Sequence, residues 1–338
     1  LSIVGCTQQP VADVPSNETQ EATKPTESEN SAENTTGEKR VLRVAAESWQ
    51  VTKIFLEEAA AEFEKAHPDV DVEIITMADT SVMTTYSLDW TNGTTDVDLV
   101  FCNGITFANQ FASQDLIYDF DADLHFFDNF DENEMINGVL DYGKIDGRQV
   151  LLPIIFEVYG LCINKQMFKE AGLVDANGDP LPIKTWDDVY EYAKKLTVYD
   201  ADGKLVQQGF MMQLPDNTVA GISGLIISSQ GQLFEEDGIT INYDTEELAY
   251  ILDNWKKGIR DGYYSSEGIS DGLAPRNNYK AGNAAMIYEA AGRWMEAAPL
   301  LGEENLGVVD MPGGKGTYGF TNGVLCPKVS PNADLAVL

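Results

Sequence analysis

The sequence predicts an α/β fold with more than one domain and a mostly parallel sheet. A chain of 338 residues exceeds what one hydrophobic core usually organises, which favours two domains. Residues 41–101 read in the order strand, helix, strand, strand, as in the β–α–β unit of a parallel sheet. Residues 151–165 hold two apolar runs separated by Phe156, Glu157 and Tyr159, which indicates a crossing between two cores. The alternative is one irregular buried strand in which an Arg pairs with Glu157.

The N-terminal segment predicts a lipid anchor followed by a tether. Residues 1–6 are an apolar remnant that ends in Gly-Cys, as at the end of a bacterial lipoprotein signal cleaved before an acylated Cys6. A chance Gly-Cys pair is the alternative. Residues 7–40 are polar and contain no aromatic residue, so we expect a disordered tether. Because the chain lacks an initial Met and stops in a helix-like pattern at 332–338, we expect it to be truncated at both ends.

The first lobe is predicted from alternating short elements. Its strands are at 41–46, 70–74 and 97–101, and a helix at 56–66 is stopped by Pro68. Ligands of such sheets bind beyond the carboxyl ends of the strands. The loops at those ends carry Trp49 and Gln50 after the first strand and Asn103 after the third.

The region after the crossing predicts further helices and one more strand. Thr185 and Asp188 form a capping box at the start of a helix. A second helix begins near residue 244, and its apolar stripe makes Trp255 a core residue. A short apolar strand at 284–287 leads to Gly-Arg-Trp at 292–294, where the Trp suits a ligand contact and a helix core equally well.

Composition excludes several kinds of site. A net charge of −33 disfavours binding to nucleic acid or to anionic lipid surfaces. The two histidines, His67 and His125, are not at metal-ligand spacing with Cys, so we expect no metal, no other cofactor and no His-based catalytic triad. No apolar run reaches the roughly 18 residues of a membrane-spanning helix.

Several stretches in this order resemble the bacterial extracellular solute-binding proteins of family 1, the maltose-binding-protein-like family. The stretches lie at 61–68, 98–100, 143–147, 163–173, 182–196, 279–294, 312 and 327–336. The resemblance covers the chain from Val41 to its end.

The resemblance implies a two-lobed fold of the type II periplasmic binding proteins, with lobes joined by a hinge that the chain crosses several times. One lobe would hold residues 41–156 and 310–338, and the other would hold residues 157–309, with Pro153 ending the strand of the first lobe. The implied function is that of a monomeric receptor without enzymatic activity. It would capture a mono- or oligosaccharide between the lobes and deliver it to the permease of an ABC importer. An acylated and palmitate-bearing Cys6 would hold it on the extracytoplasmic face of the cell membrane.

A sugar offers apolar ring faces and a rim of hydroxyl groups, so its site needs flat aromatic rings and fixed polar groups. In the resemblance, Glu157 matches a carboxylate that accepts sugar hydroxyls, and Trp294 matches a stacking ring. The predicted ligand-binding residues are Trp49, Gln50, Asn103, Phe156, Glu157, Tyr159, Asp216, Arg293, Trp294, Tyr318 and Asn322.

Two other functions are compatible with the sequence. A receptor of the same fold for a polyamine or another small organic cation would use Glu157 and aromatic faces. A glycosidase would use a pair of carboxylates, although no nucleophile motif accompanies such a pair. Cys102 stands where the maltose-type relatives carry Trp, which argues against a maltodextrin ligand.

Overall fold

The computed structural model of the protein describes residues 39–77, 82–213 and 218–338. It contains helices and strands in alternation along these segments. The strands are β1 (Arg40–Glu47), β2 (Val70–Met77), β3 (Leu99–Cys102), β4 (Lys144–Ile145), β5 (Arg148–Gln149), β6 (Leu152–Asn164), β7 (Val198–Tyr199), β8 (Leu205–Gln207), β9 (Met211–Met212), β10 (Met286–Ala290), β11 (Leu306–Val309) and β12 (Gly319–Leu325). The α-helices are α1 (Ser48–Lys53), α2 (Leu56–Ala66), α3 (Val82–Thr91), α4 (Ile105–Ala112), α5 (Lys165–Glu170), α6 (Trp186–Leu196), α7 (Thr218–Gln230), α8 (Glu246–Arg260), α9 (Ala274–Lys280) and α10 (Arg293–Leu301).

Eight strands form the main sheet, in the order β2-β1-β3-β12-β6-β10-β9, with β11 also paired to β6. β1 runs parallel to β2 and β3, and β10 runs parallel to β9. Within this sheet, the antiparallel pairings all involve β6 or β12. The parallel strands therefore lie on both sides of an antiparallel centre.

β6 belongs to both parts of this sheet. The first part contains β2, β1, β3 and β12, and the second part contains β9, β10 and β11. Its first half pairs with β12, and its second half, from Tyr159 onwards, pairs with β10 and β11. The expectation that Pro153 ends the strand of the first lobe is wrong, because β6 runs on through it. The register between β12 and β6 shifts between Asn322 and Gly323, opposite Pro153, and this bulge accommodates a residue that cannot donate a ladder hydrogen bond.

Alternate residues of β1 pack into different clusters. Val44 and Ala46 contact one buried cluster and Ala45 contacts another, so both faces of the first part of the sheet are covered. The second part is covered in the same way, with Leu161 and Cys162 in separate clusters.

The predicted core of the second part is confirmed. Trp255 on α8 is 8% exposed and belongs to the same cluster as Leu161. The capping box of α6 forms as expected from Thr185 and Asp188. The predicted acylation site at Cys6 and the predicted tether up to residue 38 lie outside the described residues, and β1 begins at Arg40, inside the predicted tether of residues 7–40. Within the described ranges, no helix is long and apolar enough to cross a membrane.

Candidate functional site

A cavity of about 260 Å³ lies where separate parts of the chain meet. It is bordered by the turn between β3 and α4, by α7 and by β12. Its lining residues are Asn103, Gly104, Ile105, Thr106, Tyr142, Ala220, Tyr318, Gly319, Phe320 and Thr321. Two larger grooves, of about 500 and 770 Å³, are lined only by residues between 163 and 309. We regard the smaller cavity as the candidate site, because it alone among the three joins both halves of the fold and holds two predicted residues, Asn103 and Tyr318.

Aromatic rings form much of the wall of this cavity. Tyr142 is 43% exposed, and its ring meets that of Phe156 edge to face, with 5.1 Å between the centroids. Tyr318 and Phe320 stack with an interplanar angle of 19°. Tyr159 lies behind them and is 2% exposed, so it supports these rings from the core. Tyr142 was not predicted from the sequence, although its place in the turn just before the crossing was a usable signal.

Glu47, which follows the first predicted strand but is not among the predicted ligand-binding residues, organises the end of β1. Its carboxylate is buried and accepts hydrogen bonds from Asn103 Nδ2, at 2.9 and 2.8 Å, and from Trp49 Nε1, at 2.5 Å. The backbone N–H of Glu47 donates to Gln50 Oε1 at 2.9 Å, and the Glu47 side chain accepts from the Gln50 backbone. This capping box turns the expected loop into helix α1.

Gln50 and Asn103 are held by the same network. Gln50 is fully buried, and its Nε2 donates to Asn103 Oδ1 at 2.9 Å. The Asn103 side chain thus donates to Glu47 and accepts from Gln50, and it also lines the cavity. A carboxylate at the carboxyl end of a strand was the signal that would have identified Glu47.

Glu157 forms an ion pair with Lys53 of α1. Lys53 Nζ donates to Glu157 Oε1, and the two side chains are 24% and 8% exposed. Lys53 Nζ also lies 5.7 Å from the centroid of the Trp49 ring. A Cβ at Gly292 would clash with Glu157 Oε1 and would lie 3.3 Å from Lys53 Nζ. The pair is therefore enclosed by α1, by β6 and by the turn before α10.

Arg293 takes part in a buried ion cluster. Its Nε lies 2.9 Å from Oε1 of Glu289, which is fully buried, and its Nη1 pairs with Glu296. Arg276 donates to the same Glu289 oxygen at 2.6 and 3.0 Å. Burial raises the pKa of Glu289, while the positive charges of Arg293 and Arg276 oppose that shift.

Trp294 lies on α10 beside a different groove. It packs against the cluster that contains Cys162 and Leu306, and it lines the groove along β11 together with Val309. Neither Arg293 nor Trp294 is among the residues that line the candidate cavity. Their contact with a ligand stays a prediction.

The remaining predicted residues take different places. Asn322 is 5% exposed and lies in β12 beside the bulge. Phe156 borders the cavity through its contact with Tyr142. Asp216 lies outside the described residues.

The chain was compared with known proteins. A family profile described as bacterial extracellular solute-binding protein matches residues 58–338. Among curated proteins, none matches the chain significantly in sequence.

Solved structures of binding proteins share the fold. An ABC substrate-binding protein of Listeria monocytogenes, in complex with cycloalternan, is 25% identical with a TM-score of 0.68, over 88% of this chain and 73% of that one. Maltose-bound MalE3 of T. maritima is 22% identical with a TM-score of 0.70, over 88% and 75%. An ABC transporter solute-binding protein of Agrobacterium vitis S4 with bound D-mannitol is 18% identical with a TM-score of 0.68, over 88% and 71%.

The family match covers most of the chain, and the similarity of the structures confirms the predicted α/β, two-lobed fold class. The chain belongs to the bacterial extracellular solute-binding proteins.

Proposed function

We propose that the protein is the receptor of an ABC importer and that it captures a carbohydrate in the candidate cavity. The observation that carries this proposal is the lining of that cavity, where the rings of Tyr142, Tyr318 and Phe320 lie beside the polar side chains of Asn103 and Thr106. Aromatic faces with a few fixed polar groups suit a ring that is apolar on its faces and hydroxylated on its rim. The similar structures from L. monocytogenes, T. maritima and A. vitis hold cycloalternan, maltose and D-mannitol, which are all polyhydroxylated and uncharged.

The proposed lobes comprise residues 41–156 with 310–338, and residues 157–309. Support comes from β6, whose strand partners change between Val158 and Tyr159. A ligand between the lobes would contact both and favour the closed arrangement. We expect a monomer that binds its ligand without converting it and passes it to a membrane permease.

A screen of ligands on the full chain tests the receptor role. We expect oligosaccharides or polyols to raise the melting temperature, because a ligand at about 100 times its Kd stabilises the folded state by about 2.7 kcal/mol. A panel in which only polyamines raise the melting temperature would contradict the carbohydrate proposal. Release of reducing sugar from a bound oligosaccharide would contradict the absence of catalysis.

Tyr142→Ala tests the location of the site. Loss of one stacking ring is expected to weaken binding of the carbohydrate identified in the screen roughly three- to tenfold. Titration calorimetry measures this effect. Tyr243→Ala is the matched control, because Tyr243 is 65% exposed and does not line the cavity. Equal affinities of the two variants would remove Tyr142 from the site.

The proposal includes acylation of Cys6, which would place the receptor on the extracytoplasmic face of the cell membrane. Its support is the Gly-Cys pair that precedes the polar segment from residue 7. Two acyl chains anchor a protein more firmly than one. When the protein is expressed from its full gene in a bacterial host, Cys6→Ser is expected to move it from the membrane fraction to the soluble fraction. An unchanged distribution would count against the anchor.

A further inference from the structure

Two buried carboxylates lie next to residues that line the candidate cavity, without lining it themselves, and each has partners. Glu47 accepts hydrogen bonds from Asn103, which lines the cavity. Glu157 lies directly opposite Phe320, another lining residue, so the two side chains share one face of the sheet. Neutral donors of Asn103 and Trp49 bind Glu47, whereas the ammonium group of Lys53 binds Glu157.

We propose that Lys53 is a specificity-determining residue, which adapts the site to neutral polyhydroxylated ligands and excludes small organic cations. The inference rests on the proposed function for the position of the site. It adds the residue that distinguishes a sugar from a polyamine.

The charge of Lys53 has opposite effects on the two classes of ligand. A carboxylate offers about four lone-pair sites. Lys53 donates to Oε1 of Glu157, so the other lone pairs of the carboxylate can accept hydrogen bonds from the hydroxyl groups of a neutral ligand. An ammonium ligand at the same place would meet a like charge beside a carboxylate that is already neutralised.

Such a local device matters because the chain as a whole carries a net charge of −33. A strongly negative molecule concentrates cations at its surface. Discrimination against cations must therefore arise within the site itself. Lys53 supplies a positive charge at that point.

The position of Lys53 is fixed by several contacts. Its ammonium group lies near the Trp49 ring, and the Trp49 indole donates to Glu47, which links the two carboxylates through α1. Gly292 leaves room for the ion pair where a side chain would clash with Glu157. The pair is thus held by segments from both proposed lobes.

The test replaces Lys53 with Gln, which removes the charge and keeps a hydrogen-bond donor. Calorimetric titrations of the full chain use putrescine and spermidine as cationic probes, and maltose and D-mannitol as neutral probes. Lys65→Gln is the matched control, because it changes the net charge equally on exposed α2, where Lys65 pairs with Glu62. We expect Lys53→Gln to bind spermidine at least about tenfold more tightly than the wild type and the control.

The double variant with Lys53→Gln and Glu157→Gln tests whether the Glu157 carboxylate causes the tighter spermidine binding. It should bind spermidine no more tightly than the wild type. A gain that persists in the double variant, or equal spermidine affinities of Lys53→Gln and Lys65→Gln, would overturn the proposal. If Lys53→Gln does not fold, Glu157→Gln tests the same pair, since an unpaired Lys53 should then bind D-galacturonate more tightly than the wild type does. Unchanged galacturonate affinity in that folded variant would also overturn it. Binding of the neutral probes by the wild type tests the proposed function separately.

Discussion

Gly292, in the turn before α10, lies against the carboxylate of Glu157. Its φ of −56° is open to any residue, so the requirement for glycine here comes from space rather than from backbone conformation. This close approach connects the second part of the fold to the ion pair of Lys53 and Glu157.

Gly292→Ala is therefore expected to displace the Glu157 carboxylate or the turn. Because the clash is with the end of the Glu157 side chain rather than with backbone, the expected loss in the free energy of unfolding is about 1 kcal/mol, at the low end for overpacking. Gly221→Ala is the control, since a Cβ there meets its nearest neighbour at an ordinary 3.7 Å within helix α7. Urea denaturation of both variants checks the difference. A Gly292→Ala variant as stable as the control would show that the turn moves without cost.

The candidate site was predicted only in part, because some of its residues have partners that are distant in the sequence. Asn103 was found because it follows the third strand, and Tyr318 because it lies in a stretch expected near another crossing of the chain. Glu47 was missed because its partner Asn103 is 56 positions away, so the network exists only after β1 and β3 align. Glu is also an uncommon N-cap residue, and the sequence around Glu47 does not resemble a typical helix start.

At the scale of elements, helix α6 shows a local signal that the structure reproduces. Thr185 Oγ1 accepts from Asp188 N at 3.1 Å, and Asp188 Oδ2 accepts from the Thr185 backbone at 2.8 Å and from its hydroxyl at 2.9 Å. The helix then buries Trp186 and Val189 in the core of the second part.

Loss of this cap should weaken the protein measurably. Thr185→Ala is expected to lower the free energy of unfolding by about 1 kcal/mol at neutral pH. Thr185→Ser keeps the hydroxyl group and should be nearly as stable as the wild type. Thermal or urea unfolding of the three proteins measures the effect. If the Ser variant is as unstable as the Ala variant, the methyl group and not the hydroxyl is responsible.

The effect of the cap should also depend on pH. Burial acts to raise the pKa of Asp188, but the hydrogen bonds from Thr185 and Lys184 outweigh it and leave the pKa below the ordinary value of 3.8. A carboxyl group with a lowered pKa stabilises the fold above its unfolded pKa, and this stability is lost as the pH falls through the folded value. The difference between wild type and Thr185→Ala should therefore shrink below about pH 4.

Strand β6 shows where local rules were insufficient. Pro153 was expected to end a strand, because Pro cannot donate to a ladder. The bulge that relieves this conflict is in β6 itself, where Ile154 has no partner between the residues paired with Asn322 and Gly323 of β12. The partner strand lies far along the chain from Pro153, so residues 151–165 alone could not indicate this pairing.

At the scale of the whole molecule, the fold class followed from the order of elements. Apolar runs and caps predicted strands and helices, and their succession predicted the α/β class. The candidate cavity did not follow from the sequence, because its walls come from residues 103–106, 142, 220 and 318–321, which only the tertiary fold brings together. The charge pairing of Glu157 with Lys53 was missed for the same reason, since Glu157 was expected to bind the ligand, and an Arg partner belonged only to the alternative of one irregular buried strand.

The sharing of β6 has a consequence for cooperativity. Loss of either part of the sheet would strip ladder hydrogen bonds from the same 13-residue strand, which also borders both sets of core residues. The two lobes should then melt as one thermodynamic unit, so that the calorimetric and van't Hoff enthalpies of unfolding agree. Two resolved transitions would instead indicate that β6 can fray at its centre while either end remains paired. Because β6 is shared by both lobes, it would prevent one lobe from unfolding while the other stays folded.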